Sequence, residues 1–76
     1  MTTKHGFTYR GFRLLCDPMP MADGRFGAQV VVTIEEGAQH VERPFPSLDY
    51  FRTEAEAVAY ARAWGQRWVD NEIGPR

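Results

Sequence analysis

The chain has 76 residues, of which 43% are hydrophobic and 25% are charged, a composition typical of one globular domain. Nine basic and ten acidic residues give a net charge of −1, which excludes a strong overall attraction to nucleic acid or anionic lipid. One cysteine excludes a disulfide within a single copy, and no apolar run approaches the roughly 20 residues that span a bilayer. We therefore expect a single cytoplasmic domain over residues 1–76.

The N-terminal part predicts a frayed end, a strand and a loop. Residues 1–6 are expected to be disordered. Residues 7–16, FTYRGFRLLC, are rich in aromatic and branched side chains and predict the first strand, in which Gly11 marks a bulge or a close approach of another backbone. Residues 17–24, DPMPMADG, predict a loop, because the prolines remove ladder donors and the final Asp-Gly pair is a turn signal.

The middle of the chain predicts two more strands. Residues 25–35, RFGAQVVVTIE, show the clearest alternation and predict the second strand. A short hairpin turn at Glu36-Gly37 leads into residues 38–45, the third strand, whose prolines confine its end to a sheet edge. Residues 46–51 are expected to carry the chain to the helix and to close the open end of the core.

A C-terminal helix is predicted over about 54–72. Thr53 and Glu56 have the spacing of a capping box, and Gly74-Pro75 predicts the helix end. Small and apolar side chains gather on one side of this helix: Ala57, Val58, Ala61, Trp64, Gly65, Trp68 and Val69. The small residues allow a close approach to the sheet. We expect the two tryptophans to fill the core rather than to form a platform for bases or ligands.

These elements predict an α+β fold with two layers, in which a three-stranded antiparallel β-meander packs against one C-terminal helix (β-β-β-α). A single helix covers one face of the sheet, so the other face meets water or a partner. The candidate interaction face comprises Tyr9, Arg13, Leu15, Arg25, Gln29 and Val31. Apolar groups among arginines are typical of an interface, although scattered exposed apolar residues are also normal. Met19 and Met21 are candidate loop contacts, and a loop folded over the core edge fits them equally.

Groups suited to catalysis or metal binding are scarce. His40 and Glu42 project to the same side of a strand, which is typical of a solvated pair. Cys16 has no basic neighbour in the sequence and precedes Asp17, whose charge raises the pKa of a thiol, so we expect a small buried side chain. The sequence predicts no enzyme activity, no catalytic residue, no metal site and no cofactor.

Three sequence segments follow one another in an order that also occurs in a known domain family. They are residues 23–26 (DGRF), residues 45–48 (FPSL) and a capped helix that begins TEAEA at Thr53. Together with the strand at Phe12, they resemble the HicB-type antitoxin domain, a partial double-stranded-RNA-binding fold. The chain departs from that pattern in the hairpin at Gly37 and in lacking a Gly-Cys pair after the Pro-x-Leu segment. It is also similar to small bacterial proteins built from a sheet and one helix. The resemblance implies binding to a partner protein rather than catalysis.

Three functional classes fit these features. The first is a small non-catalytic protein-interaction or regulatory module, including a homodimer formed through the uncovered sheet face. The alternative is a nucleic-acid-binding domain, against which the near-neutral charge and the interspersed glutamates argue. Its contacts would be Arg10, Arg13, Arg25 and Arg43. A small-molecule site is the third class, and a core of this size leaves little room for its pocket.

Overall fold

The structure is a computed structural model that describes residues 5–36 and 39–73. Within these residues the chain forms β1 (Gly6–Tyr9), β2 (Phe12–Leu15), β3 (Met19–Pro20), β4 (Phe26–Glu36), β5 (Gln39–Phe51) and α1 (Glu54–Ile73). The strands form one antiparallel sheet in the order β1-β2-β4-β5, and β3 pairs with the start of β4 on the side of β2. The α+β architecture and the C-terminal helix are as predicted. The three-stranded meander is not, because the described residues contain five strands.

The predicted first strand is a hairpin. Tyr9 pairs with Phe12, which leaves Arg10 and Gly11 as the two turn residues, and their φ angles are +51° and +86°. Positive φ at both central residues is the signature of a type I′ turn, whose twist suits a two-residue hairpin. Gly11 therefore serves a turn and not a bulge, and the prediction of one strand over 7–16 is wrong.

His5 and Gly6 belong to the fold. The His5 N–H donates to Asp17 Oδ1 at 2.8 Å, and the His5 carbonyl accepts from the Cys16 N–H at 2.9 Å. The His5 side chain reaches the start of the helix, where its Nε2 lies 3.0 Å from Glu54 Oε2. The predicted disorder is thus wrong for residues 5 and 6, and residues 1–4 lie outside the described part of the chain.

The predicted loop at 17–24 contains a short hairpin, in which β3 pairs with the first two residues of β4. The Met21 N–H donates to the Arg25 carbonyl at 2.8 Å, and Gly24 has a φ of +89°. Glycine adopts this left-handed conformation without steric cost. The turn signal at Asp23-Gly24 is therefore confirmed, while β3 is an additional strand.

β5 continues well beyond its predicted end at residue 45. Ala28 pairs with Asp49 and Val30 pairs with Phe45, so three residues of β5 lie opposite one residue of β4. Ser47 lies inside this bulge with a φ of +58°. The bulge absorbs the extra residues and allows pairing to resume as far as the end of the strand.

The position of β5 in the sheet matches the prediction. Among the described residues β5 pairs only with β4, so it is the edge strand that its prolines indicated. Glu36 belongs to β4 and pairs with Gln39. The remainder of the predicted Glu36-Gly37 turn lies outside the described residues, as does the predicted stop at Gly74-Pro75.

The helix begins at the predicted cap. The Glu56 N–H donates to Thr53 Oγ1 at 3.2 Å, which satisfies one of the free amides at a helix start. In a capping box the glutamate side chain also accepts a hydrogen bond from the backbone N–H of the cap residue. Here the Glu56 carboxylate accepts instead from the Thr53 hydroxyl, at 3.2 Å.

The core lies between one side of α1 and one face of the sheet. Its buried residues are Leu14, Cys16, Ala28, Val30, Val32, Ala57, Val58, Ala61, Gly65 and Val69. Trp64 and Trp68 pack beside this contact, with their ring centroids 4.7 and 5.4 Å from that of Phe45. Both tryptophans are half-buried and pack against the core, as predicted.

Gly65 is a point of close approach between helix and sheet. A Cβ atom at this position would lie 3.2 and 3.3 Å from the two Cδ atoms of Leu14 and 3.4 Å from Val30 Cγ2. Both neighbours are completely buried, so they have little freedom to move aside. The absence of a side chain at Gly65 therefore allows the helix and the sheet to pack this closely.

We predict that Gly65→Ala destabilises the domain by about 1 kcal/mol. Alanine gains about 1 kcal/mol of helix propensity over glycine, but one extra methyl in a tight core costs about 1–3 kcal/mol. Chemical denaturation measures the net effect, and Ala63→Gly at an exposed helix position measures propensity alone.

The contact with Leu14 is tested by adding Leu14→Val to Gly65→Ala. Shortening the Leu14 side chain makes room for the new methyl, so the double variant loses less stability than the sum of the single variants, by about 0.5 kcal/mol or more. A Gly65→Ala variant that gains the full propensity difference contradicts the close approach.

Candidate interaction face

The sheet face that α1 does not cover is called the open face. Alternation along the strands directs every second side chain towards it, and paired residues on neighbouring strands point the same way. Three rows cross β4: the Met row (Met19, Gly27, Tyr50), the apolar row (Leu15, Val31, Pro44) and the charged row (Arg13, Thr33, Glu42). The Met row and the apolar row are separated along β4 by Gln29.

The apolar row runs across the centre of the open face. Leu15 and Val31 are half-buried by their neighbours in the sheet, and Pro44 on the edge strand is exposed. Beside Val31, the Gln29 side chain is held by a hydrogen bond from its Nε2 to the Asp17 carbonyl at 3.0 Å. This fixed amide and the apolar row form a continuous surface that no described element covers.

The Met row adds the most exposed apolar side chains of the open face. Met19 is 51% exposed and Tyr50 is 40% exposed. The Tyr50 ring lies over Gly27, where a Cβ atom would be 3.5 Å from the ring and 3.7 Å from Met19 Cβ. A glycine paired with an aromatic residue keeps this part of the sheet closely packed.

Arg25 borders the Met row. Its guanidinium carbon lies 5.4 Å from the centroid of the Tyr50 ring, and its Nε donates to Asp23 Oδ2 at 2.7 Å. The Arg25 backbone N–H also donates to Asp23 at 3.0 Å, and these two hydrogen bonds lower the pKa of the Asp23 carboxyl. The arginine is thereby fixed beside the ring.

The charged row carries opposite charges at its two ends. Arg13 on β2 and Glu42 on β5 are both exposed, whereas Thr33 between them is only 4% exposed. Glu42 Oε2 lies 3.2 Å from His40 Nε2, which confirms the predicted solvated pair. The row thus places one cation and one anion on the open face.

The predicted position of Tyr9 on this face is wrong. The hairpin pairs Tyr9 with Phe12, so Tyr9 points to the helix side, whereas a continuous strand would have aligned it with Leu15. The Tyr9 hydroxyl donates to the Asp70 carboxylate at 2.9 Å, and Arg10 Nη1 donates to the same carboxylate at 2.8 Å. Tyr9 and Arg10 therefore tie the β1–β2 turn to the helix.

The other predicted face residues lie together. Arg13, Leu15, Gln29 and Val31 are on the open face and Arg25 is at its border. Met19 extends the surface, and the half-buried Met21 closes the neighbouring turn through its backbone. The role of these residues in binding stays a prediction.

Sequence reasoning missed part of the face on β5. Tyr50 was expected to close the core, but it is exposed on the open face. Glu42, Pro44 and Tyr50 reach this face because β5 continues through its bulge. The alternation of the third strand already indicated that Glu42 and Pro44 share one side. No local sequence signal indicated that the strand extends as far as Tyr50.

The four arginines proposed as nucleic-acid contacts do not share a surface. Arg13 and Arg25 belong to the open face, and Arg10 is paired with Asp70. Arg43 pairs in register with the buried Val32 and so lies on the helix side. There it lines an open groove of about 500 Å³ together with Phe45, Trp68 and Glu72.

The structure places Cys16 in the core. Burial and, to a lesser extent, the neighbouring Asp17 charge raise the pKa of the Cys16 thiol to about 11, so the side chain is a neutral thiol at neutral pH. This confirms the predicted small buried side chain. Among the described residues, no three His, Cys, Asp or Glu side chains are grouped to hold a metal ion.

Among the described residues, no helix is long and apolar enough to cross a membrane. No family model matches the chain, and neither a curated protein nor a solved structure matches it.

The Tyr9–Asp70–Arg10 cluster predicts a pH dependence of stability with two arms. Hydrogen bonds from Arg10 and Tyr9 lower the pKa of Asp70, and the bond to Asp70 raises the pKa of Tyr9. The Asp70 contribution is present above the ordinary aspartate pKa of about 4 and is lost as the pH falls through the lower folded value. The Tyr9 contribution is present below about pH 10 and is lost as the pH rises through the higher folded value.

Melting temperatures of variants at several pH values test both arms. Asp70→Asn should flatten the decline in acid, and Tyr9→Phe should flatten the decline in alkali. Asp49→Asn is the matched control, since it removes an exposed carboxylate from β5. An acid decline that is the same in Asp70→Asn and in the wild type contradicts the assignment.

Proposed function

We propose that the protein is a small non-catalytic protein-interaction module whose open face binds a second copy of the chain. The observation that carries this proposal is the uncovered apolar surface made by the apolar row and the Met row. Exposed apolar side chains gathered on one face, here Met19, Pro44 and Tyr50, are more typical of an interface than the same residues scattered singly over the surface.

The shape of the domain supports an interface of useful size. The molecule measures 41 × 30 × 15 Å, so its two layers present broad faces. A standard protein interface takes about 800 Å² from each partner. A face of these dimensions accommodates that area, with apolar side chains at its centre and charged side chains around them.

The distribution of charge supports a second copy as the partner. Arg13 and Glu42 lie on either side of Thr33 in one row, so the open face carries both members of an ion pair. A surface that meets itself in a symmetric dimer must be self-complementary, and this row satisfies that condition. The HicB-type pattern also implies a protein partner.

A nucleic-acid partner is less well supported. Of the four candidate arginines, Arg13 lies on the open face beside Glu42 in the charged row, and Arg25 at its border is paired with Asp23. These carboxylates oppose a phosphate backbone, whose binding depends on clustered positive charge.

Two tyrosines provide a matched test of this proposal. Tyr50 is 40% exposed on the open face, whereas Tyr60 is 38% exposed on α1, where its ring lies 5.2 Å from that of Phe51. Light scattering coupled to gel filtration should give twice the monomer mass for the wild type at high concentration. Tyr50→Ala should raise the dimer dissociation constant by about tenfold or more, and Tyr60→Ala should leave it nearly unchanged.

Three results would argue against the proposal. A wild type that stays monomeric at millimolar concentration excludes self-association. Equal weakening by Tyr50→Ala and Tyr60→Ala points to a loss of folding rather than to this face. Binding of mixed-sequence DNA or RNA at low salt that Arg13→Ala abolishes would favour the nucleic-acid function instead.

A further inference from the structure

We infer that the two copies are related by a two-fold axis parallel to β4, which places Arg13 of each copy opposite Glu42 of the other. This inference rests on the proposed self-association through the open face. It specifies how the two faces are aligned.

The charged row crosses three neighbouring strands. Arg13 pairs with Thr33, and Thr33 pairs with Glu42, so the three residues lie side by side on β2, β4 and β5. Neighbouring strands are about 4.8 Å apart, so the arginine and the glutamate lie at similar distances on either side of Thr33. An axis that runs along β4 therefore exchanges their positions.

The same two-fold axis also determines which residues of the apolar row and of the Met row face each other. It keeps each row in place and reverses it, so that Leu15 faces Pro44 of the other copy and Val31 faces its own counterpart. In the Met row, Met19 faces Tyr50 of the other copy, a thioether–aromatic contact of a favourable kind. Each of the three rows is thus complementary to itself under one operation.

A face-to-face dimer of two sheets has one other symmetric arrangement. An axis perpendicular to the strands would stack each strand on its own copy, and this separates Arg13 on β2 from Glu42 on β5. Both charges would then lose water without meeting each other, which is unfavourable at an interface. Both axes keep the two sheets aligned, the usual geometry for packed sheets, so the pairing of the charges is what distinguishes the two arrangements.

Charge reversal tests the alignment. Arg13→Glu gives a face with two negative ends, and Glu42→Arg gives a face with two positive ends. Each variant alone should raise the homodimer dissociation constant by about tenfold or more through like-charge contacts. An equimolar mixture of the two should form a heterodimer, because both of its cross-copy pairs are then attractive. The double variant Arg13→Glu/Glu42→Arg should recover the homodimer.

Native mass spectrometry and sedimentation velocity measure these species, and circular dichroism checks that each variant is folded. Arg67→Glu, at an exposed helix position, is the matched control and should leave the homodimer unchanged. A mixture of the two single variants that stays monomeric overturns the alignment. If Tyr50→Ala disrupts the homodimer while neither charge reversal does, the proposed function stands and the alignment is wrong. A monomeric wild type overturns both.

Discussion

The close approach of α1 to the sheet at Gly65 is the contact on which the rest of the structure depends. With no side chain at this position, Leu14 and Val30 reach the helix backbone, and the small residues Ala57 and Ala61 extend the contact along α1. When a helix lies this close to a sheet, large side chains fit beside the contact rather than between the helix and the sheet. The two tryptophans supply that bulk against Phe45. The consequence is a sheet whose centre is covered by α1 on one face, while no described element covers the other face.

Contacts on the helix side of the sheet are connected to the open face through β2. The Tyr9 and Arg10 side chains anchor the β1–β2 turn to Asp70 near the end of α1, while β2 is held beside β4 by its own strand pairing. β2 in turn presents Arg13 and Leu15 in register with β4. The strand that carries Arg13 and Leu15 on the open face is thus linked through the β1–β2 hairpin to the helix on the opposite side of the sheet.

The elements with local signals were predictable from the sequence, and those set by pairing were not. The cap at Thr53, the alternation of β4 and the Asp-Gly turn each depend on neighbouring residues, and the structure contains all three. Arg10-Gly11 lacks the asparagine or aspartate that usually indicates a type I′ turn. Because this turn was not predicted, Tyr9 was assigned to the wrong face of the sheet. The bulge at Ser47 requires a left-handed non-glycine residue, which is stabilised by the surrounding sheet rather than by local preference, so the position of Tyr50 was also missed.

Association of two copies as proposed would bury the open face. A dilution series of amide NMR spectra detects this burial without any substitution and reports every strand at once. We expect concentration-dependent shifts at Leu15, Gly27 and Val31 that follow one dissociation constant, with little change at the exposed helix residues Ala59 and Ala63. Spectra that do not change with concentration, or changes confined to the helix, would contradict it.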